Sequence, residues 1–356
     1  MGKLSFYHEQ PLFGLDIGHS NLKIMQLDTA LAGSPRVIGY GFGQYPSRAI
    51  NNGQIVDYEL LAVSLHDLFE EHLVGEITTK RVACTVPTAR TFSRPMKLPP
   101  MNDKDIAEAV RLEAEQYIPV PAANLYIDFD IARRDQQGID LLMVATPKNI
   151  IDSHIKFLEG VGLEPVALEP TMNASARFFD LADPAHNQPA VLIDFGSTAI
   201  DLAVFDKTMF VNSTIDGGND NMTELIGQKM EISVAEAHKL KVQFGIGVSD
   251  KQEAIKDALE PILSNLLREV RRIVRYYDEH GGPGKRKIDR IVILGGGAMM
   301  PGLSQYLSTE LKLPTRMLDP WSHVDFGRLA APDDNERPMY ATVAGEALLE
   351  PGSTIK

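Results

Sequence analysis

The sequence predicts a two-lobed α/β fold. A strand–turn–strand unit around Asp16-x-Gly18 returns around Asp194-x-Gly196, about half the chain later. A strand running into three successive glycines, and then a helix, follows at Gly295 to Gly297. The chain has 356 residues, more than one core accommodates, so two lobes or more are expected.

The first unit runs from Phe13 to Asp28. Phe13, Leu15 and Ile17 give the entering limb its apolar residues, and Leu22, Ile24 and Leu27 the returning one. Between them stand Asp16, Gly18, Ser20, Asn21 and Lys23. A glycine turn lets a phosphate approach backbone N–H groups. A carboxylate at a strand end can hold Mg2+ through its water shell, and a lysine on the outgoing strand can offer charge to an outer phosphate. In the second unit, Val191 to Asp206, Asp194 falls on Asp16, Gly196 on Gly18 and Asp206 on Asp28, with Ser197 and Thr198 following the glycine. A hairpin duplicated with flanking hydrophobic strands predicts two related lobes whose turns meet at a cleft.

Taken in order, residues 36–45 predict a third strand, 51–53 a turn and 58–73 an amphipathic helix carrying Leu60, Leu61, Val63, Leu65, Leu68 and Phe69. Residues 80–86 and 92–98 read as strands, the second broken by Pro95. A helix over 105–118 is capped by Asn102 or Asp103 and stopped by Pro119. Residues 126–132 and 140–145 read as a hairpin, and 150–160 and 171–181 as helices. After the second hairpin come a strand at 210–215 and a Gly217-Gly218 turn, then a helix capped by Asp220. Residues 234–244 read as a helix with Lys239 and Lys241, and 259–280 as a long amphipathic one. The strand 288–294 enters Gly295-Gly296-Gly297-Ala298, Pro301-Gly302 opens a helix to Leu311, and the chain closes on a helix over 340–349 in which Gly345 predicts close packing.

Composition excludes several classes. A formal net charge of −13 argues against a nucleic-acid partner, since phosphate backbones require an excess of Lys and Arg. The single cysteine, Cys84, permits no intrachain disulfide, fits a cytoplasmic location, and reads as a small core residue. No apolar run reaches membrane-span length, and residues 1–6 read neither as a signal peptide nor as a myristoylation motif.

These motifs, in this order, resemble the actin-like ATPase superfamily. The small α+β unit at about 80–165 resembles that of the division protein FtsA. The runs 13–18, 113–119 (Glu-Ala-Glu-Gln-Tyr-Ile-Pro), 162–165 and 288–302 are similar to the PilM family of type IV pilus assembly proteins. The resemblance implies an actin-like two-lobed α/β fold. The first lobe would span 1–79, an inserted SHS2-like subdomain 80–165 and a connecting segment 166–190. The second lobe would span 191–335, and a final helix over 336–356 would return to the first. It implies ATP or ADP with Mg2+ as cofactors, Asp16 and Asp194 lying near the metal. Asp16, Gly18, Ser20, Asn21 and Lys23 would line the first phosphate loop, and Asp194, Gly196, Ser197 and Thr198 the second. Gly295, Gly296, Gly297 and Ala298 would carry the adenosine, with Gly218 passing close to the nucleotide. Lys241 would stand beside ribose and base, although His238 replaces the Glu usual three residues earlier. His19 also departs from the loop pattern and reads as a turn residue. Glu169 is the position the resemblance offers for orienting water, against the plainer reading of a loop carboxylate. ATP binding is therefore expected, with at most slow turnover. The implied role is pilus biogenesis and twitching motility. The implied partner is the cytoplasmic N-terminal tail of the inner-membrane protein PilN, held between the first lobe and the inserted unit, with Tyr117 near the mouth. The motor ATPase and platform proteins are implied beyond it, and the membrane only through partners.

Two other readings compete. An FtsA-like polymerising division protein would end in an amphipathic membrane helix, which residues 349–356 do not resemble. A metabolite kinase of the same superfamily would need a dedicated carboxylate base, and no residue offers itself for that role.

Overall fold

The computed structural model describes residues 11–29, 34–136, 138–183, 188–281, 285–319, 321–334 and 336–349. The sequence expectations for residues 1–6, 137, 282–284 and 350–356 lie outside them. The chain begins with the antiparallel hairpin β1 (Phe13–Ile17) and β2 (Asn21–Asp28). It continues through β3 (Arg36–Gln44), the ribbon β4 (Ile50–Asn51) and β5 (Gln54–Ile55), α1 (Tyr58–Glu71), β6 (Leu73–Gly75) and β7 (Arg81–Val86). Next come β8 (Phe92–Leu98), α2 (Asp103–Tyr117), β9 (Leu125–Asp135), β10 (Gly138–Pro147), α3 (Lys148–Gly160), β11 (Glu164–Pro170) and α4 (Thr171–Ala182). The second half holds β12 (Ala190–Phe195), β13 (Ala199–Asp206), β14 (Thr208–Asp216), α5 (Asn219–Met230), α6 (Val234–Gln243) and α7 (Gln252–His280). β15 (Arg290–Leu294), α8 (Leu303–Leu311), β16 (Thr315–Met317) and α9 (Ala341–Ala347) complete it.

The two main sheets repeat one plan. The first is ordered β11-β7-β1-β2-β3-β6 and the second β16-β15-β12-β13-β14. In each, a hairpin continues into a third antiparallel strand, and a later strand adds in parallel beside the first. A strand buried on both faces, such as Ala190–Phe195, reads as a nearly continuous apolar run. α4 and α9 lie between the sheets, in one cluster with Met25, Leu192, Phe178, Phe179, Val292 and Val343. Outside the first sheet, Leu61, Leu65 and Leu68 of α1 and Phe157 and Leu158 of α3 cover Leu15 and Ile24. Outside the second, Ile262, Leu263, Leu266, Val270 and Ile273 of α7 cover Val191, Ile193 and Leu202. Each fully buried side chain of this kind contributes on the order of 2 kcal/mol. The three-stranded sheet β8-β10-β9 has a core of its own, built with Ile106, Val110 and Ala114 of α2.

Several expectations are corrected. Within the stretch 80–165 expected as the small unit, β7 pairs with β1 and β11, and α3 packs on the first sheet. The separate sheet therefore runs only from Phe92 to Pro147. β6, β11 and β16 are strands that local pattern did not reveal. Pro95 does not break β8, because an edge strand tolerates a missing donor. α7 begins at Gln252 rather than near Leu259, and Pro261 lies inside it. The apolar face already includes Ile255 and Ala258, whose burial carries the helix across the proline. Val63 is 59% exposed rather than on the buried face of α1. Gly218, not Asp220, precedes the first turn of α5. Among the described residues no helix is long and apolar enough to cross a membrane.

Candidate functional site

The site builds from the ends of the two hairpins. The β1–β2 turn closes as the Gly18 amide donates to the Asn21 carbonyl, 2.9 Å away, and the Tyr45 hydroxyl donates to the Gly18 carbonyl. Register sets Asp16 opposite Lys23, and the ammonium donates to the carboxylate at 2.8 Å. The other carboxylate oxygen accepts from the Thr85 hydroxyl of β7 at 2.7 Å. Lys23, expected to reach an outer phosphate, is thus committed to Asp16. Ser20 and His19 are half-buried turn residues, and among the described residues the buried side-chain oxygen of Asn21 has no hydrogen-bond partner.

The second hairpin differs at one decisive position. Asp194 stands opposite Asp201, where the first hairpin has Lys23. Burial and the charge of Asp16 push Asp194 up to about 6, with Lys23 opposing them. Burial pushes Asp201 up to about 7, against a hydrogen bond from Thr214 and with the charge of Asp194 adding to it. Two like charges face to face in a ladder repel, so the pair is an electrostatic demand for a proton or a cation. The charges of Asp16 and Lys23 on the first hairpin act on Asp194 of the second.

The remaining loops close around Asp194. Gly295 has φ +81°, and a Cβ there would stand 2.2 Å from the Asp194 carboxylate, so only glycine fits. Gly296 approaches Met339, a Cβ on Gly297 would press on Phe195, and Ala298 is buried. The loop Gly196-Ser197-Thr198 is fastened to α5. The amides of Asn219, Asp220 and Gly217 donate to the carbonyls of Gly196, Ser197 and Thr198 at 2.8, 2.9 and 3.1 Å. The first amides of α5 are thereby used, which is why no capping side chain is needed. Lys241 is buried and donates to the Asn219 carbonyl at 2.6 Å and its side-chain oxygen at 2.7 Å, as well as to Thr223. Burial lowers its ammonium to about 8. His238, on the same helix, is exposed.

Glu169 is not a loop residue. It lies on β11, and both its oxygens accept from Arg177 at 2.6 and 2.8 Å. Arg177 also donates to the Gly345 carbonyl at 2.8 Å, tying β11, α4 and α9 together. Glu346 of α9 is wholly buried beside this pair, and burial and Glu169 hold its carboxyl well above the usual range. Sequence reasoning missed Thr85, Asp201, Asn219, Arg177 and Glu346. Only Asp201 carried a signal, since it follows Lys23 by the interval that separates the two hairpin aspartates.

Comparison with known proteins agrees with this architecture. The FtsA division protein of Bacillus subtilis (strain 168) is 25% identical over 350 residues, covering 86% of this chain and 78% of that protein. A solved PilM–PilN type IV pilus biogenesis complex superposes with a TM-score of 0.82 at 23% identity, covering 96% of this chain and 98% of that one. MreB5 of Spiroplasma citri bound to ADP superposes with a TM-score of 0.51 at 12% identity, covering 94% of each chain. The fold is therefore actin-like. The family model for the type IV pilus assembly protein PilM matches residues 14–350, and the chain belongs to that family.

Proposed function

We propose that this chain binds ATP with Mg2+ between its two hairpin turns and, in the cytoplasm, holds the N-terminal tail of the inner-membrane protein PilN, linking the pilus platform to the motor. The observation that carries the nucleotide reading is the pair of matched hairpins ending in Asp16 and Asp194, the second packed against Gly295, where a Cβ would meet its carboxylate. The residues present fit the group. The acids Asp194 and Asp201 face each other in the ladder, and among the described residues the buried Asn21 oxygen lacks a hydrogen-bond partner. Mg2+ is held well by one or two carboxylates plus phosphate oxygens, and it would neutralise charge on the phosphates. Asp194 would hold the ion through water. Asp16, already engaged by Lys23 and Thr85, would orient that shell. The backbone of Gly18 and Gly196 would approach phosphate, and Gly295 to Gly297 and Lys241 would border the nucleoside. MreB5 of Spiroplasma citri has been solved with ADP and with AMPPNP, which supports a nucleotide in this fold.

The peptide reading rests on the family and on the PilM–PilN complex that this chain resembles. An extended tail held between the first lobe and the small unit would gain main-chain hydrogen bonds and apolar pockets together. Calorimetry with Mg-ATP tests the first part: Asp194→Ala should remove most metal-dependent affinity, and unchanged affinity would reject the site. Vesicle co-sedimentation tests the second. The protein should move to membranes only when they display an anchored PilN tail, and binding to bare vesicles would reject a partner-borne location.

A further inference from the structure

Lys241 of α6 is enclosed in the protein, with 3% of its surface exposed. A lysine ammonium carries three hydrogens and accepts none. Three oxygens of the described residues surround this one: the Asn219 carbonyl at 2.6 Å, the Asn219 side-chain oxygen at 2.7 Å and the Thr223 hydroxyl. Each hydrogen therefore has its acceptor inside the protein, and none is left over for a ribose or a base. The Thr223 hydroxyl passes its own hydrogen to the same Asn219 carbonyl, at 3.0 Å. All of these partners belong to the first turn of α5.

Asn219 is where the two glycine turns of the second lobe converge. Its amide donates to the Gly196 carbonyl at 2.8 Å, and the next amide, of Asp220, to the Ser197 carbonyl at 2.9 Å. On the other side, a Cβ on Gly297 would come within 3.4 Å of the Asn219 side-chain oxygen. The residue just before it leaves no slack, since a Cβ on Gly218 would stand 2.4 Å from the Gly196 carbonyl oxygen. An ammonium that grips both the backbone and the side chain of Asn219 fixes its place and its orientation together. Bonds from a charged donor are the stronger kind.

We infer that Lys241 is a positioning residue. From behind the site it pins Asn219, and through Asn219 it holds the turn 196–198 against the turn 295–297. It thereby sets the shape of the phosphate site instead of offering its ammonium to the nucleoside. This role presupposes the nucleotide site proposed above. The departure at His238 agrees with it: a lysine that does not reach the ribose needs no acidic companion there, and His238 is exposed.

Calorimetry with Mg-ATP on the full chain tests this, with thermal melting as a check on folding. Lys241→Met and Asn219→Ala should each weaken binding by about tenfold, the scale of a lost charge-assisted hydrogen bond. The double variant should bind within about twofold of Asn219→Ala alone, because the lysine acts through that residue. Discrimination between ATP and 2′-deoxyATP should stay as in the parent. Thr223→Val cuts the same network more gently, and with Asn219→Ala it should show the same non-additivity even if Lys241→Met melts early. In the nucleotide-free protein, the Asn219 and Asp220 amides should exchange with solvent faster in Lys241→Met, while the amides buried in α7 keep their parent rates. Losses that add in the double variant, with altered 2′-deoxyATP discrimination, would overturn the inference and make Lys241 a nucleoside contact. Unchanged exchange at Asn219 and Asp220 would overturn it as well. A parent that fails to bind Mg-ATP would instead remove the nucleotide reading, and the exchange comparison would then decide the pin alone.

Discussion

Gly345→Ala probes the crossing that joins the two halves of the molecule. A Cβ at Gly345 would stand 1.8 Å from the Ala174 carbonyl oxygen, where real contacts essentially never fall below 3.0 Å. α4 and α9 must therefore part by more than about 1 Å, and both are packed into the cluster between the sheets. Parting them stretches the Arg177 bond to the Gly345 carbonyl, now 2.8 Å, and the Ser175–Thr342 hydroxyl bond, now 2.9 Å. Overpacking of this kind costs about 1–3 kcal/mol, and a weakened hydrogen bond about 1 kcal/mol more. The expected loss is on the order of 3 kcal/mol, read as a fall in melting temperature of about 5 °C or more. Gly296→Ala is the control. Its Cβ meets nothing nearer than Met339 at 3.7 Å, so its loss should stay below about 1 kcal/mol. A Gly345→Ala protein that melts within about 1 °C of the parent, on the same slope, would refute the close-crossing argument.

Other outcomes follow from the charges. Glu346 has a folded-state pKa above its unfolded value, so its contribution is fully present below that unfolded value and is lost as pH rises toward the folded one. Glu346→Gln should therefore gain stability over the parent as pH rises from acid to neutral, and a pH-independent difference would contradict the buried-acid assignment. Asp201, pushed up to about 7, has the same sign, and Asp201→Asn should stabilise the nucleotide-free protein at pH 8 by on the order of 2–4 kcal/mol in denaturant titrations. Thr85→Val removes a donor to Asp16 and should cost about 1–2 kcal/mol in the same assay. ATP hydrolysis should run well below about 10 per second. A purified sample turning over at that rate, and losing it on Asp16→Ala, would contradict this.

The hairpins, the triple-glycine turn, the α2 cap and the buried face of α7 were legible in the sequence. Each is written in a few neighbouring residues: period-two strands around Asp-x-Gly, an Asn three residues before the amide it accepts from, and apolar residues at helical spacing. The duplication was legible too, and with it the expectation of two sheets on one plan. What only the tertiary structure decided are pairings between residues far apart in the chain. β11, which contains Pro165 and ends on Pro170, becomes a strand because β7 offers a parallel edge, and this places it in the first sheet. Asp16 meets Thr85 across two strands, and Arg177 reaches Glu169 and the Gly345 carbonyl at once. Glu346 reads as an ordinary helix-surface acid until α9 is enclosed between two sheets. Local sequence encodes turn chemistry and periodicity. Sheet membership, burial and the protonation of an enclosed carboxylate depend on which distant surface covers a residue, and no short window of sequence carries that information.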